Sequence, residues 1–134
     1  MTLAYLATQI RQNTRVARAA TLQQWVTMAA TVNNAVSQSG EFARIYRTGL
    51  EDPNALEPHE RAQLSMYLFQ LFNVFESLFF QAAEGAIDQP FFEAKMGSMH
   101  AMLARPGVRV WWDAFAIQNL DPRFREFVEN QALR

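Results

Sequence analysis

The sequence predicts an all-α protein, a single bundle of five to six helices of which two are long. Apolar residues recur at the 3.6-residue spacing of a helix, and no stretch alternates between apolar and polar residues as a strand does. The 134-residue chain has only five glycines and five prolines, and most of them fall between the apolar stretches. Half of the residues are hydrophobic, which is enough for one core, so we expect one domain over residues 1–134.

The first long helix is predicted over about residues 2–38 and ends before Gly40. One predicted face is apolar and contains Leu6, Ile10, Ala17, Met28, Val32 and Ala35. A second stripe begins with Arg11, Arg15 and Arg18 and continues as Leu22, Val26 and Ala29. Because this stripe changes from basic to apolar, we expect residues 1–18 to project from the body or to lie against something anionic, while the rest of the helix packs.

The second helix is predicted from Glu41 to about Leu50. Its Arg47 stands four residues before Glu51, a spacing at which the two side chains can pair. The second long helix is predicted over about residues 58–84. Pro58 suits the first helical position, and a glycine follows the last predicted residue.

Three shorter helices are predicted to complete the bundle, over about residues 89–104, 108–118 and 122–132. Asp88 and Asp121 are expected to be N-caps, because a carboxylate accepts the free backbone N–H groups at a helix start. We expect Arg105-Pro106-Gly107 to end the fourth helix.

Glu76 is the only charged residue of the phenylalanine-rich stretch over residues 68–81. On a helical wheel it projects between three phenylalanines, where an unpaired carboxylate would be costly to bury. We therefore expect an arginine to pair with it and brace two helices. The candidates are the arginines of the first helix, Arg44, Arg47 and Arg109.

Two other interpretations of Glu76 stay open. It can be a solvated residue at the edge of the apolar stripe. It can also be a functional carboxylate, since perturbed acids cluster at sites. In that case it would lie in an aromatic pocket lined by Phe69, Phe72, Phe80 and Trp112.

The stretch over residues 108–115 is rich in aromatic residues. Val108, Trp111, Trp112 and Phe115 share one helical face, and Arg109 can pair with an aspartate four residues later. The simpler interpretation is a core anchor. The alternative is a patch that binds a partner or a membrane interface, where tryptophan is enriched.

No metal site, catalytic residue or cofactor is predicted. His59-Glu60-Arg61-Ala62-Gln63 lacks the second histidine of the zinc-protease motif. The methionines around His100 suit a helix packed on the core better than a copper(I) site. The chain has two histidines, no cysteine and no glycine-rich phosphate loop, so no nucleophile–base–orienter set emerges.

The charge is unevenly distributed. The formal net charge is −1, which argues against a nucleic-acid binder, yet residues 1–38 carry three arginines and no acid. An apolar stretch followed by arginines is typical of segments that contact anionic lipid, although a solvated face or a pairing with acidic groups is also compatible with it. The residues expected to contact a membrane or a protein partner are Tyr5, Leu6, Arg11, Arg15 and Arg18.

Neither apolar stretch is expected to cross a bilayer, which takes about 20 apolar residues. Residues 2–10 are too few, and residues 62–83 carry Glu76 and several amides, as a core helix does.

Four segments occur in an order that carries a resemblance: Gln9-Ile10-Arg11-Gln12-Asn13-Thr14-Arg15, Ala43-Arg44-Ile45-Tyr46-Arg47-Thr48-Gly49-Leu50, Phe75-Glu76, and Arg105-Pro106-Gly107-Val108-Arg109-Val110-Trp111-Trp112. In these segments the chain resembles a family of short uncharacterised bacterial proteins. In that family an N-terminal membrane helix runs into an Ile-Arg-Gln-Asn-Thr segment and a small all-helical domain.

The resemblance implies an architecture and no reaction. Only residues 2–10 stand where the family's membrane helix would be, so we expect a lost helix, a truncated form or docking on another membrane protein. With arginines directly after a membrane helix, the domain would lie on the cytoplasmic side of the bacterial inner membrane, peripheral or partner-anchored; otherwise it is cytoplasmic.

The sequence thus favours a non-enzymatic helical interaction protein. It would dock on a membrane surface, or act as an accessory subunit of a larger membrane complex, and could form homo-oligomers. The alternative is a bundle that binds or converts a small molecule in the aromatic pocket around Glu76.

Overall fold

A computed structural model describes residues 2–132 and confirms the all-α fold class. Six α-helices follow one another: α1 Leu3–Ser37, α2 Gly40–Glu51, α3 Pro58–Ala83, α4 Gln89–Leu103, α5 Pro106–Asn119 and α6 Pro122–Ala132. A short 3₁₀ helix, Pro53–Ala55, joins α2 to α3.

Polar side chains cap the helix starts. Thr2 Oγ1 accepts the backbone N–H of Tyr5 at 3.2 Å, and Ser39 Oγ accepts that of Phe42 at 3.1 Å. Asp88 caps α4 as expected and accepts the N–H of Phe91 at 3.2 Å.

Two predicted boundaries differ from the structure. Helix α1 ends before Gly40 as expected, but α2 begins at Gly40 and not at Glu41, because Ser39 supplies its cap. Helix α4 ends before Arg105 as expected, but α5 begins at Pro106 and not at Val108. Pro106 occupies the first turn of α5, where a missing N–H costs no hydrogen bond.

Helix α3 lies at the centre of the bundle and packs against α1, α2, α4 and α5. Its Phe72 and Leu78 are fully buried, as are Phe124 of α6 and Val108 of α5. The aromatic side chains of α3 and α5 interlock: Phe72 lies 5.2 Å from Trp111 and 5.4 Å from Trp112 between ring centroids. The predicted face of Trp111 and Trp112 is therefore part of the core.

Only the second half of α1 packs on this body. Residues 2–20, hereafter the N-terminal arm, are exposed at every position. Partial burial begins at Thr21, and Trp25 and Val32 are the two buried residues of the helix. Of the six residues of the predicted apolar face only Val32 is buried. Three of the others lie in the arm, and Met28 and Ala35 are exposed because the packed face is centred on Trp25.

The start of α5 approaches the end of α2 at two glycines. A Cβ atom built on Gly107 would overlap the carbonyl oxygen of Gly49 and lie 2.9 Å from that of Leu50. An ion pair between Arg105 and Glu51 closes the same junction. No helix within residues 2–132 is both long and apolar enough to cross a membrane.

Candidate functional site

The N-terminal arm extends α1 beyond the body, and each of its residues is exposed. Its 19 residues rise by about 1.5 Å each, so the arm projects by about 28 Å. Its side-chain hydrogen bonds stay within the helix, for example from Thr8 Oγ1 to the carbonyl oxygen of Ala4 at 2.9 Å and from Gln9 Nε2 to Tyr5 Oη at 3.2 Å. The arm is therefore a free surface of this chain.

The predicted contact arginines lie together on one side of the arm. Arg11, Arg15 and Arg18 are exposed, and no carboxylate of the described residues lies within 4.0 Å of them. At 100° per residue they fall within about 60° of each other. The arm thus presents three cations with no counter-charge supplied by the body.

An exposed apolar side lies next to these cations. Leu3, Leu6 and Ile10 are 85, 40 and 65 % exposed, and they also fall within about 60° of each other. Tyr5 is 51 % exposed and lies on another side, so it does not share this face. The arm therefore pairs an apolar face of three residues with a cationic one.

Glu76 has a backbone partner and no arginine. Its Oε2 accepts the N–H of Asp121 at 2.7 Å, and Asp121 directly precedes α6. Within residues 2–132 no ion pair to Glu76 is formed. In place of the expected arginine pair, the Glu76 carboxylate binds the positive N-terminal end of α6. This contact joins α3 to α6.

Asp121 and Arg123 complete the contact between α3 and α6. Arg123 binds both carboxylate oxygens of Asp121, at 3.1 and 3.0 Å, and its guanidinium lies 4.7 Å from the centroid of the Phe80 ring. The hydrogen bonds from Arg123 hold the pKa of the Asp121 carboxyl below its ordinary value. One guanidinium group thus pairs with the Asp121 carboxylate and also contacts the Phe80 ring.

The predicted aromatic pocket around Glu76 is not formed. Phe72 and Trp112 are packed in the core, and the indole Nε1 of Trp112 donates to Glu129 at 3.4 Å. Phe69 packs on Trp111 at 4.9 Å, away from Phe80. Five cavities of the described chain are lined by other residues.

The candidate arginines of the body find other partners. Arg44 pairs with Glu60, and Arg109 pairs with Asp113 at 3.5 Å as its spacing predicts. The expected pair of Arg47 and Glu51 is not formed, because Glu51 binds Arg105 across the junction of α2 and α5.

Glu60 is the buried carboxylate of the structure's described part. Its Oε1 accepts the N–H of Glu57 at 3.0 Å at the start of α3, and Oε2 binds Arg44. The backbone hydrogen bond, followed by the one from Arg44, lowers the pKa of Glu60 from its ordinary 4.5. Glu60 thus has the role of a buried, paired acid that we expected of Glu76.

Sequence reasoning did not single out a cluster around Trp25 and Lys95. The indole Nε1 of Trp25 donates to the carbonyl oxygen of Val74 at 2.9 Å and fixes α1 on α3. Lys95 Nζ lies 5.8 Å from the centroid of the Trp25 ring and 5.3 Å from that of Phe91. One signal was present, since Lys95 is the only lysine in a chain of otherwise arginine cations.

No group of three or more histidine and carboxylate side chains within residues 2–132 is arranged to hold a metal ion. Met96 and Met99 are buried in the core. The Nε2 atom of His100 is buried and has no hydrogen-bond partner among residues 2–132.

Comparison with known proteins gives no relative from which to transfer a role: no family model matches the chain, and neither does a curated protein or a solved structure.

Proposed function

We propose that this chain is a non-enzymatic helical docking domain that binds an anionic membrane surface through its N-terminal arm. The observation that carries the proposal is that every residue from 2 to 20 is exposed on a helix whose second half is packed. These 19 residues bury no side chain in the core of the chain, so they suit a surface outside it.

Charge and hydrophobicity favour a lipid surface as that partner. The arm contains three arginines and no acid. Each arginine near an anionic leaflet contributes about 1 kcal/mol, which gives about 3 kcal/mol for the three and is too little for stable binding alone. The exposed Leu3, Leu6 and Ile10 would supply the second, apolar contribution by entering the interface.

In this proposal the packed body of helices holds the N-terminal arm and directs it towards the membrane. Trp25 anchors α1 on α3, so the arm leaves the bundle in a fixed direction. The family resemblance adds an expected location, the cytoplasmic side of the bacterial inner membrane, as a peripheral domain or as an accessory subunit of a membrane complex.

Flotation with lipid vesicles tests the proposal. We expect the chain to bind vesicles with about 30 % phosphatidylglycerol and not vesicles of phosphatidylcholine alone, and to dissociate at high salt because the charges are exposed. Replacing Arg11→Ala with Arg15→Ala should lower the partition coefficient by roughly tenfold or more at about 1 kcal/mol per arginine.

The matched control removes the same charge from the body. Arg47 and Arg61 are exposed and form no ion pair with the described residues. Arg47→Ala with Arg61→Ala should leave binding almost unchanged. Equal loss in both double variants, or binding to neither vesicle, contradicts the proposal. A protein that co-purifies stoichiometrically in mild detergent, together with no vesicle binding, would assign the arm to a protein partner.

A further inference from the structure

A cavity of about 230 Å³ lies between α1, α2, α3 and α4, on the body and away from the N-terminal arm. Its floor is apolar and includes Leu71 and Phe75 of α3. Its polar groups come from three different helices, namely Asn33 of α1, Tyr46 of α2, and Lys95 and Ser98 of α4; Tyr67 of α3 adds a further hydroxyl. We refer to it as the Lys95 cavity.

Lys95 brings an uncompensated positive charge to this cavity. No carboxylate of the described residues lies within 4.0 Å of its Nζ, and no acidic side chain lines the cavity. The rings of Trp25 and Phe91 approach the ammonium group from the apolar side. Such aromatic contacts attract a cation but supply no acceptor for its N–H groups. The ammonium group is therefore free to bind an anion in the cavity.

Tyr67 offers a second unused polar group. Its side chain is 5 % exposed and lines the cavity, and its hydroxyl forms no hydrogen bond with the described residues. The hydroxyl oxygen itself keeps access to solvent, so it can bind a ligand that enters the cavity. Tyr46 packs edge-on against it at 5.5 Å, and the hydroxyl of Tyr46 has only a weak acceptor, the Met102 sulfur at 3.6 Å.

Both tyrosines are neutral at physiological pH. Burial, followed by the nearby Tyr46, raises the pKa of Tyr67 to about 12. Burial also raises the pKa of Tyr46, against the opposing effect of Arg105. Each hydroxyl can therefore donate a hydrogen bond. The wall of the Lys95 cavity thus contains two hydroxyl donors in addition to the Lys95 ammonium group.

We propose that the Lys95 cavity is a binding site for a small monocarboxylate with an aromatic or aliphatic body. The carboxylate would accept from Lys95 Nζ and from the Tyr67 hydroxyl, and the body would lie on Trp25 and the apolar floor. At about 20–30 Å³ for each non-hydrogen atom, the cavity holds a ligand of about ten such atoms. This inference does not rest on membrane docking, because it uses only residues of the packed body.

The test is a nuclear magnetic resonance titration of the full ¹⁵N-labelled chain with benzoate, and with benzamide as its neutral analogue. The three tryptophans give separate indole N–H reporters, and only Trp25 lines this cavity. We expect a saturable shift of the Trp25 signal with benzoate, at least tenfold weaker binding of benzamide, and little change at Trp112. No saturable shift up to about 10 mM benzoate, beyond the millimolar Kd range, overturns the proposal.

Variants then test the assigned groups. Lys95→Met keeps the length of the side chain and its contact with the rings but removes the charge, and should weaken benzoate binding at least tenfold. Tyr67→Phe should weaken it about threefold to tenfold through one lost hydrogen bond. Arg61→Met, which removes a cation beside a different cavity, should have no effect.

Circular dichroism and thermal unfolding of each variant separate lost binding from lost structure. Benzoate binding that survives Lys95→Met in a folded protein overturns the assignment. So does a shift of Trp111 in place of Trp25, because Trp111 lines the cavity that contains Arg61.

Discussion

At the scale of single residues, Gly107 shows how closely two helices can approach. Its Cα faces the carbonyl groups of Gly49 and Leu50, backbone atoms that cannot rotate away from an added methyl group. Gly97 of α4 is the opposite case, since a Cβ built on it meets nothing within 4 Å. A substitution at Gly107 therefore tests close packing, whereas a substitution at Gly97 tests only the conformational cost of a glycine within a helix.

We expect Gly107→Ala to destabilise the protein by at least about 2–3 kcal/mol, because the junction of α2 and α5 must open to admit the methyl group. Gly97→Ala should stabilise it by about 0.5–1 kcal/mol through helix propensity alone. Urea denaturation of both variants measures these changes. A tolerated Gly107→Ala would show that the close approach is not maintained in solution.

Glu76 shows that the partner of a polar side chain cannot always be identified from the sequence. The composition around it predicts a need for a partner, and the structure supplies one. That partner is a backbone N–H located 45 residues away, and its position depends on how α6 folds back on α3. The helix start at Asp121 can be predicted from the sequence, whereas its position beside Glu76 cannot.

At the scale of elements, the helix boundaries follow from local chemistry and were largely predictable. Asp88 and Pro58 mark their helix starts because capping and the first-turn proline are local effects. The prediction placed the start of α5 two residues too late, because the proline and glycine of Arg105-Pro106-Gly107 are compatible with both a helix end and a helix start. In the structure Gly107 lies in the first turn of α5, where it packs on the end of α2.

The N-terminal arm and the packed half of α1 are expected to differ in local stability. Residues 2–20 are exposed at every position, whereas Trp25 and Val32 are buried. We expect amide hydrogens in the middle of the arm to exchange at least ~100-fold faster than those around Val32, since opening energies range from about zero to the global stability.

Hydrogen exchange followed by mass spectrometry at low protein concentration measures this difference. Residues 22–37 serve as the internal control, because they belong to the same helix. Uniform protection along α1 would contradict a free arm. Protection that grows with protein concentration would indicate that copies of the chain cover each other's arms.

At the scale of the whole molecule, tertiary contacts decide which charged side chains are paired and which are not. The sequence predicts an arginine paired with Glu76 between helices, whereas the structure pairs Arg44 with Glu60. The sequence does not indicate that Lys95 remains without a carboxylate, because this depends on which helices surround the cavity. The fold class was therefore predictable from periodicity, whereas the polar composition of a cavity formed by four helices was not.

The same distribution of charge predicts how stability depends on pH. The folded state lowers the pKa of Glu60 below its ordinary 4.5, through the N–H of Glu57 and then Arg44. The unfolded chain therefore binds a proton at higher pH than the folded chain does. The contribution of Glu60 is complete above about pH 4.5 and is lost as the pH falls through the lower folded value.

We expect the free energy of unfolding to decrease from pH 5 to pH 3, and Glu60→Gln to make that decrease shallower while lowering stability at pH 7. Glu126→Gln is the matched control, since Glu126 is exposed and has no ion pair with the described residues. Urea denaturation at several pH values gives both slopes. If Glu60→Gln kept the slope of the original chain, the acid sensitivity would have to come from another carboxylate, and Asp121, whose pKa is lowered by Arg123, would be next to replace.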